Sequence, residues 1–340
     1  MKVLTFGEIM LRLRAPWHER LFQSGSLEAT FGGGEANVAV SLANYGVDVE
    51  YFTILPDNTI ADACVRELRK FGVDTRKIQR GEGRMGLYFL EAGSNQIPSR
   101  VVYDRAYSAI SLADPASVDW KTVLAGRDWF HISGITPAIS RTAMELSLAA
   151  VHTAKEMGLT VSCDFNYRNS LWKYEGADVK KTMSQLLTCV DVLSIGEDDV
   201  RTRLGIPVEL SETDTKVQRF EKLDAALMAA YPNLKLVVNT MRESMSAERN
   251  GWSACLYDGK TMHVSRRYEI LDIVDRVGGG DSFFGGLVYG LSHYENDLDA
   301  ALEFATAASC LKLGIPGDFN RVSAAEVEQL MKGVGAQIQR

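Results

Sequence analysis

The chain has 340 residues, 46% hydrophobic and 24% charged, which suits one large α/β domain with or without a small appendage. A net charge of −7, with lysines and arginines scattered singly, argues against nucleic acid or a membrane surface as partner, since both call for a basic stripe. Any anionic ligand must then be held by local arginines or backbone N–H groups.

VLTF (3–6) reads as a first strand, and Glu8 and Arg12 interrupt the apolar start, so no secretory signal is expected. Residues 11–31 carry no strong helical period. In 35–45, Val38, Leu42 and Tyr45 share one helical face, and Gly46 stands where the helix would stop. VEYFTIL (49–55) predicts a strand and ADACVRELRKFG (61–72) a helix ending at Gly72. Residues 84–110 (RMGLYFLEAGSNQIPSRVVYDRAYSAI) read as two strands around a Gly-Ser-Asn turn. Strands follow at WFHIS (129–133), LTVSCDF (159–165), VDVLSI (190–195) and LKLVVNT (234–240), with a helix at AAVHTAKEMG (149–158). Buried strands alternating with helices predict a parallel sheet covered on both faces. Segments 12–31 and 84–110 are expected to form a small β lid on a core of 1–11, 32–83 and 111–340. The five cysteines are far apart with no CxxC spacing, which suits reduced thiols in a cytoplasm. No stretch approaches the ~20 apolar residues of a membrane span.

Two glycine-rich stretches carry the chemistry. VGGGDSFFGG places Gly278, Gly279 and Gly280 ahead of a helix, with Asp281 at its start. Free N–H groups and the positive end of the helix dipole make such a turn an anion cradle, although a turn with an Asp N-cap accounts for the same residues. The ending is not the GKS or GKT of a P-loop. FGGGEANVAVSLANYG (31–46) repeats the device near the N-terminus. Two such stretches suit a substrate cradle and a phosphate cradle that face each other.

Together, GG-x-x-N-x-A (Gly33, Gly34, Asn37, Ala39) and D-x-x-G-x-G-D (Asp275, Gly278, Gly280, Asp281) resemble the two signatures of the ribokinase-like, or PfkB, carbohydrate kinases. The resemblance spans nearly the whole chain. It implies a doubly wound, mostly parallel α/β sheet flanked by helices, with a small β-sheet lid. It also implies Asp281 as catalytic base and Gly278, Gly279 and Gly280 as anion hole, with ATP and Mg²⁺, and K⁺ as a candidate monovalent cation. The family more often has Ala in the middle of that turn; Gly279 removes no N–H. The chemistry is sound without the name: a sugar hydroxyl attacking a phosphate must lose a proton, which a carboxylate can accept.

Within that family the chain is most similar to the 2-keto-3-deoxygluconate kinases, through GEIMLRL, GLYFLE, VVYDRAYSAI, HISGITPA and DFNYR-x-x-LW. The likeness makes Gly33, Gly34, Asn37, Tyr88, Tyr103, Arg105 and Arg168 substrate-binding candidates. Arginines suit the substrate's carboxylate because they bind it bidentately. A surface pair with Asp104 is the alternative reading of Arg105, and a buried structural salt bridge that of Arg168. The family's N-x-x-E motif appears here as Gly196-Glu197-Asp198-Asp199, so either Glu197 or Asp199 takes the magnesium role through water. Arg242, in NTMRES, and Ser309, in AASCLKLGIPGD, are placed with Gly278 and Gly280 at the nucleotide.

The implied reaction is phosphorylation of a small sugar acid at its C6 hydroxyl. Kinases of fructose, tagatose or 5-keto-2-deoxygluconate are the alternatives within the class, and a sugar sensor without catalysis lies outside it. GEIMLR after the first strand is no G-x-G-x-x-G, which argues against a dinucleotide oxidoreductase. Lid hairpins in this family pair between subunits, so a homo-oligomer is expected.

Overall fold

The structure, a computed structural model, describes residues 1–295 and 297–333; Asn296 and 334–340, all assigned above to the core, lie outside the described residues. The chain runs β1 (Lys2–Phe6), β2 (Met10–Arg14), β3 (Glu28–Gly32), α1 (Gly34–Asn44) and β4 (Asp48–Phe52). Then come β5 (Ile54–Pro56), α2 (Thr59–Lys70), β6 (Gln79–Gly81), β7 (Leu87–Glu91), β8 (Arg100–Asp104), α3 (Ala109–Leu112) and α4 (Trp120–Leu124). A regular succession follows: β9 (Trp129–Ser133), α5 (Arg141–Glu156), β10 (Thr160–Asp164), α6 (Val179–Leu187), β11 (Val192–Ser194), α7 (Lys216–Ala230) and β12 (Leu236–Ser244). Strands β13 (Asn250–Tyr257), β14 (Met262–Val264) and β15 (Tyr268–Ile270) lead to α8 (Gly279–His293), α9 (Leu298–Lys312) and α10 (Ala324–Met331).

The central sheet has the order β14-β13-β12-β11-β10-β9-β1-β4, with β15 also pairing β13. From β12 to β4 the pairing is parallel throughout; β13, β14 and β15 add antiparallel strands at one end. Parallel neighbours need crossover connections, and these put helices over both faces. The side chains show it. On β1, Leu4 and Phe6 belong to the core cluster that takes in the buried faces of α5 and α6, whereas Val3 belongs to the cluster of α1, α8 and α9. Helix starts are specified locally: Asn58 Oδ1 caps α2 at Ala61 N (2.9 Å), and Ser140 Oγ caps α5 at Ala143 N (3.1 Å). Buried His131 on β9 has its Nδ1 3.0 Å from Ser162 Oγ, and burial pulls its pKa down to about 3, so it stays neutral.

VEYFTIL divides in two. β4 pairs with β1, but β5 turns away to pair with β6. LKLVVNT runs on to Ser244 because β13 extends its ladder through eight residue pairs. That antiparallel extension was not anticipated from the sequence, although Asp258-Gly259 between β13 and β14 is a hairpin signal.

A second sheet, β3-β2-β7-β8, stands apart from the first. β2 pairs antiparallel with β3 and parallel with β7, and β7 pairs antiparallel with β8. On β2 the usual alternation is inverted. Met10, Arg12 and Arg14 are buried, while Leu11 and Leu13 are less so. All five residues of β8 are exposed.

Candidate active site

A cleft of about 690 Å³ opens between the second sheet and the C-terminal ends of β10 and β12, where ligands of open α/β sheets bind. α1 and α8 pack on each other and both begin in it, so Gly33, Gly34 and the 278–280 turn are part of its wall.

Asp281 sits in the first turn of α8 with its carboxylate in the cleft. Asn37 Nδ2 donates to Asp281 Oδ2 at 2.6 Å and reaches Asp318 Oδ2 at 3.5 Å. Asn37, expected to touch a ligand, therefore also orients Asp281. Burial raises the Asp281 pKa to about 6; the Asn37 hydrogen bond opposes the rise, Asp318 adds to it, and Arg168 and Lys312 oppose it. At neutral pH the group is ionised yet close enough to neutrality to take up a proton, as general base catalysis needs.

The turn before it is fixed by side chains and backbone beneath. Gly278 has φ +82°. Asp275 accepts from Val277 N through Oδ1 and from Gly317 N through Oδ2, both at 3.1 Å. Ser309 Oγ donates to Gly279 O at 2.7 Å. Ser309 is fully buried, so it supports the turn from below and is not open to a nucleotide as the sequence suggested. Its segment, 307–318, supplies only Asp318 to the cleft wall, beside the second sheet.

Arg12, 1% exposed on β2, ties the second sheet to the segment before the 278–280 turn and to the loop after α9. Its guanidinium lies between Asp318, at 2.6 Å from Nη1, and Asp275, in short contact with Nη2. The Tyr88 hydroxyl donates to Asp318 in another short contact, so in the cleft wall it is already engaged. Tyr103, opposite Tyr88 across β7 and β8, is exposed, and the two ring centroids are 6.0 Å apart. Arg12, Asp318 and Glu8 were not among the site residues read from the sequence, where Glu8 and Arg12 counted only as breaks in an apolar start. The inverted LRLR pattern of β2 is the signal for Arg12, since two arginines there share the buried face.

The two arginines proposed for a carboxylate both line the cleft but differ in state. Arg105 is buried against Glu8, with Nε 2.7 Å from Oε2, whereas Asp104 pairs with Arg84. Arg168 is exposed. It donates to Tyr167 O at 3.1 Å and makes no ion pair among the described residues. Next to it Asp164, at the end of β10, has its pKa raised to about 7 by burial and by Asp281.

At the β12 end, Arg242 is exposed beside Arg276, which is anchored on the carbonyls of Ser246 and Ala247 at 2.7 and 2.6 Å. Burial and Arg242 together hold the Arg276 pKa below its ordinary value, so an anion between them would relieve the repulsion. Glu197 and Asp199 do not line the cleft. Glu197 is committed to Arg219 (2.5 Å) and Arg201 (3.1 Å), which hold its pKa low, and it does not fit a metal role. Asp199 fits better: burial raises its pKa, it forms no ion pair among the described residues, and its charge is felt at Asp164. Among the described residues no three or more His, Cys, Asp or Glu side chains gather into a metal cage.

The model of the pfkB family carbohydrate kinases matches residues 1–323. A 2-dehydro-3-deoxygalactonokinase of Haloferax volcanii is 33% identical, the alignment covering 100% of this chain and 99% of that one. A 2-dehydro-3-deoxygluconokinase of Thermoproteus tenax is 27% identical over 98% of this chain and 95% of its own. Among solved structures, the 2-dehydro-3-deoxygluconokinase of Thermotoga maritima superposes with a TM-score of 0.91 at 48% identity, covering 98% of this chain and 100% of that one.

Proposed function

The chain belongs to the PfkB family of carbohydrate kinases, and from that premise we propose that it transfers the γ-phosphate of ATP to the C6 hydroxyl of 2-keto-3-deoxygluconate. The product is 2-keto-3-deoxy-6-phosphogluconate. The observation that carries this reading is Arg168, a guanidinium without an ion pair among the described residues, in the same cleft as Asp281 and close enough to lower its pKa. A neutral sugar has no use for it; a sugar acid has a carboxylate to place there.

In the proposed step Asp281 takes the hydroxyl proton as the C6 oxygen forms its bond to the γ-phosphorus. The bond from that phosphorus to the β–γ bridging oxygen breaks, and its electron pair leaves with ADP. N–H groups of the 278–280 turn receive charge on the transferring oxygens, and Arg242 and Arg276 hold the leaving phosphates. Asp164 and Asp199 would hold a nucleotide-borne magnesium ion through water, and that ion would supply further charge neutralisation. Arg168 and Arg105 orient the substrate carboxylate, Tyr103 a hydroxyl or keto oxygen, and Gly34 leaves room for the sugar against α1. The four-stranded sheet acts as lid, excluding water from the transferring phosphoryl group. The exposed strand β8 is an edge suited to pairing with a second copy of the chain. A cytoplasmic setting, where ATP is available, goes with the same reading.

The Haloferax volcanii relative favours a second reading, the C4 epimer 2-keto-3-deoxygalactonate. ADP release by the purified protein with MgATP tests both, comparing the two epimers, fructose and 5-keto-2-deoxygluconate. Turnover of either keto-deoxy acid is expected. Turnover of fructose alone would remove the role given to Arg168, and tight binding without turnover would favour a sensor.

A further inference from the structure

Beneath the glycine turn lies a cation that the proposed reaction does not use directly. Lys312, the last residue of α9, is fully buried. Its Nζ donates to Asp275 O at 3.2 Å and to Ile315 O at 3.3 Å. These carbonyls belong to the segment that enters the turn and the segment that leaves α9. The same helix end holds the turn in two more places: Leu313 O accepts from Val274 N at 2.9 Å and from Asp275 N at 3.2 Å, and Ser309 holds Gly279 O. A helix C-terminus with converging carbonyls is a natural cation site.

The family resemblance brings a monovalent cation such as K⁺ among its expectations, and buried carbonyls converging at a helix C-terminus have the chemistry to hold one. Here they converge on an ammonium. A second positive charge at the same oxygens would stand within hydrogen-bonding distance of Lys312 Nζ in a site closed to water, where repulsion is strong. The residues present do not fit an added alkali ion at these carbonyls.

We infer that Lys312 stands in for a monovalent cation, its ammonium tying the two carbonyls together so that the turn's N–H groups stay aligned for the phosphate with no alkali ion bound. The inference rests on the kinase reading of the cleft. Lys312 is a positioning residue, since it touches neither substrate. The groups that face it are Asp275, Asp318, Asp281 and Arg12; the three acids favour its charge, while burial and Arg12 oppose it and leave its pKa at about 8. Wild-type kcat is therefore expected to fall as pH rises through about 8.

The experiment begins with the wild type, which needs no variant to fold. Turnover is measured in tetramethylammonium buffer free of K⁺, Na⁺ and ammonium, then with KCl at constant ionic strength; a change within about twofold is expected. Activation of about tenfold or more would overturn the inference. Lys312→Ala should lose about 10²-fold in kcat, with smaller changes in KM, and regain much of it with ammonium or methylammonium. Wild-type kcat in that variant without added cation, or a loss that neither amine relieves in protein shown folded by circular dichroism, would also overturn it. Crystals soaked in RbCl give a readout independent of activity. No anomalous peak is expected at the carbonyls of Asp275 and Ile315 in the wild type, and a peak there would decide against Lys312. Failure of the kinase reading is distinguishable, because it appears as no turnover on any acceptor while the rubidium result still stands.

Discussion

Two stretches of the chain are spelled almost alike, GGGE at 32–35 and GGGD at 278–281, and each opens a helix onto the same cleft. Their acids do different things. Glu35 is 1% exposed, and its Oε1 accepts from Ser133 N at 2.9 Å and Thr136 Oγ1 at 2.6 Å. It stitches α1 to the loop after β9. Asp281 has the Asn37 amide as its close partner and otherwise faces open space. The glycines divide in the same way. A Cβ on Gly32 would lie 2.0 Å from the Asp318 carboxylate, and one on Gly33 2.1 Å from Glu8 O, so both are required by packing. A Cβ on Gly34 would meet nothing nearer than 3.7 Å, and one on Gly280 nothing within 4 Å. What separates structure from chemistry is whether the acid's oxygens are already satisfied and whether the glycine faces backbone or cleft. Sequence spelling carries neither.

The sharpest way to break the comparison is to neutralise each acid. Asp281→Asn is expected to lower kcat by about 10²–10⁴-fold without lowering the melting temperature, because the amide keeps the shape and removes a poorly solvated charge. Unchanged kcat would put Asp281 in the same structural class as Glu35. Next in size is Arg12→Met. Asp318 borders both stretches, and Arg12 neutralises it together with Asp275. Removing one partner of a buried ion cluster strands the others, so urea unfolding should show a loss of about 3–5 kcal/mol. The glycines come third. Gly33→Ala forces Cβ against the Glu8 backbone and is expected to cost about 1–3 kcal/mol in the same assay. Gly34→Ala meets no such contact; it should leave stability unchanged and raise the KM of the sugar acid by about 3–10-fold. Equal effects of the two substitutions on unfolding would contradict the division between packing and cleft.

These distinctions mark what was legible in the sequence. Strand and helix patterning located WFHIS and the helices around Leu42 and Leu68 closely: α2 buries one regular face, while β9 and most of α1 are buried all round and stand out as short apolar runs closed by turn signals. The glycine motifs located the cleft. The spelling did not reveal partners distant in the chain: Arg12 with Asp275 and Asp318, Arg105 with Glu8, Ser309 with Gly279. Each joins residues brought together only by the tertiary fold. Ser309 was misplaced for this reason, since helical position alone does not say whether a hydroxyl faces a ligand or a carbonyl. The β13–β15 extension was overlooked because β13 pairs antiparallel and β14 and β15 have only three residues each, in a chain that otherwise alternates strand and helix.

The smallest effect expected concerns pH and again sets Glu35 against Asp281. Burial raises the Glu35 pKa from 4.5 to about 7, while the Thr136 and Ser133 hydrogen bonds hold it down. The folded state thus binds this proton more tightly than the unfolded chain does. Between those two values folding takes up a proton, so the group's contribution to stability falls as pH rises from 4.5 to about 7. Asp281 acts in the same direction over a lower window, from 3.8 to about 6. Glu35→Gln mimics the neutral acid, and its Oε1 can still accept from Ser133 N and Thr136 Oγ1. Relative to wild type, its melting temperature should therefore be higher at pH 8 than at pH 5 by on the order of 2–4 °C. Its kcat at saturating substrate should stay near wild type, since the Glu35 side chain borders the cleft but is committed to Ser133 N and Thr136 Oγ1, and Asp281 is untouched. An equal offset at both pH values would mean that Glu35 titrates as it does in the unfolded chain. Its burial would then not distinguish it from the acid at the start of α8.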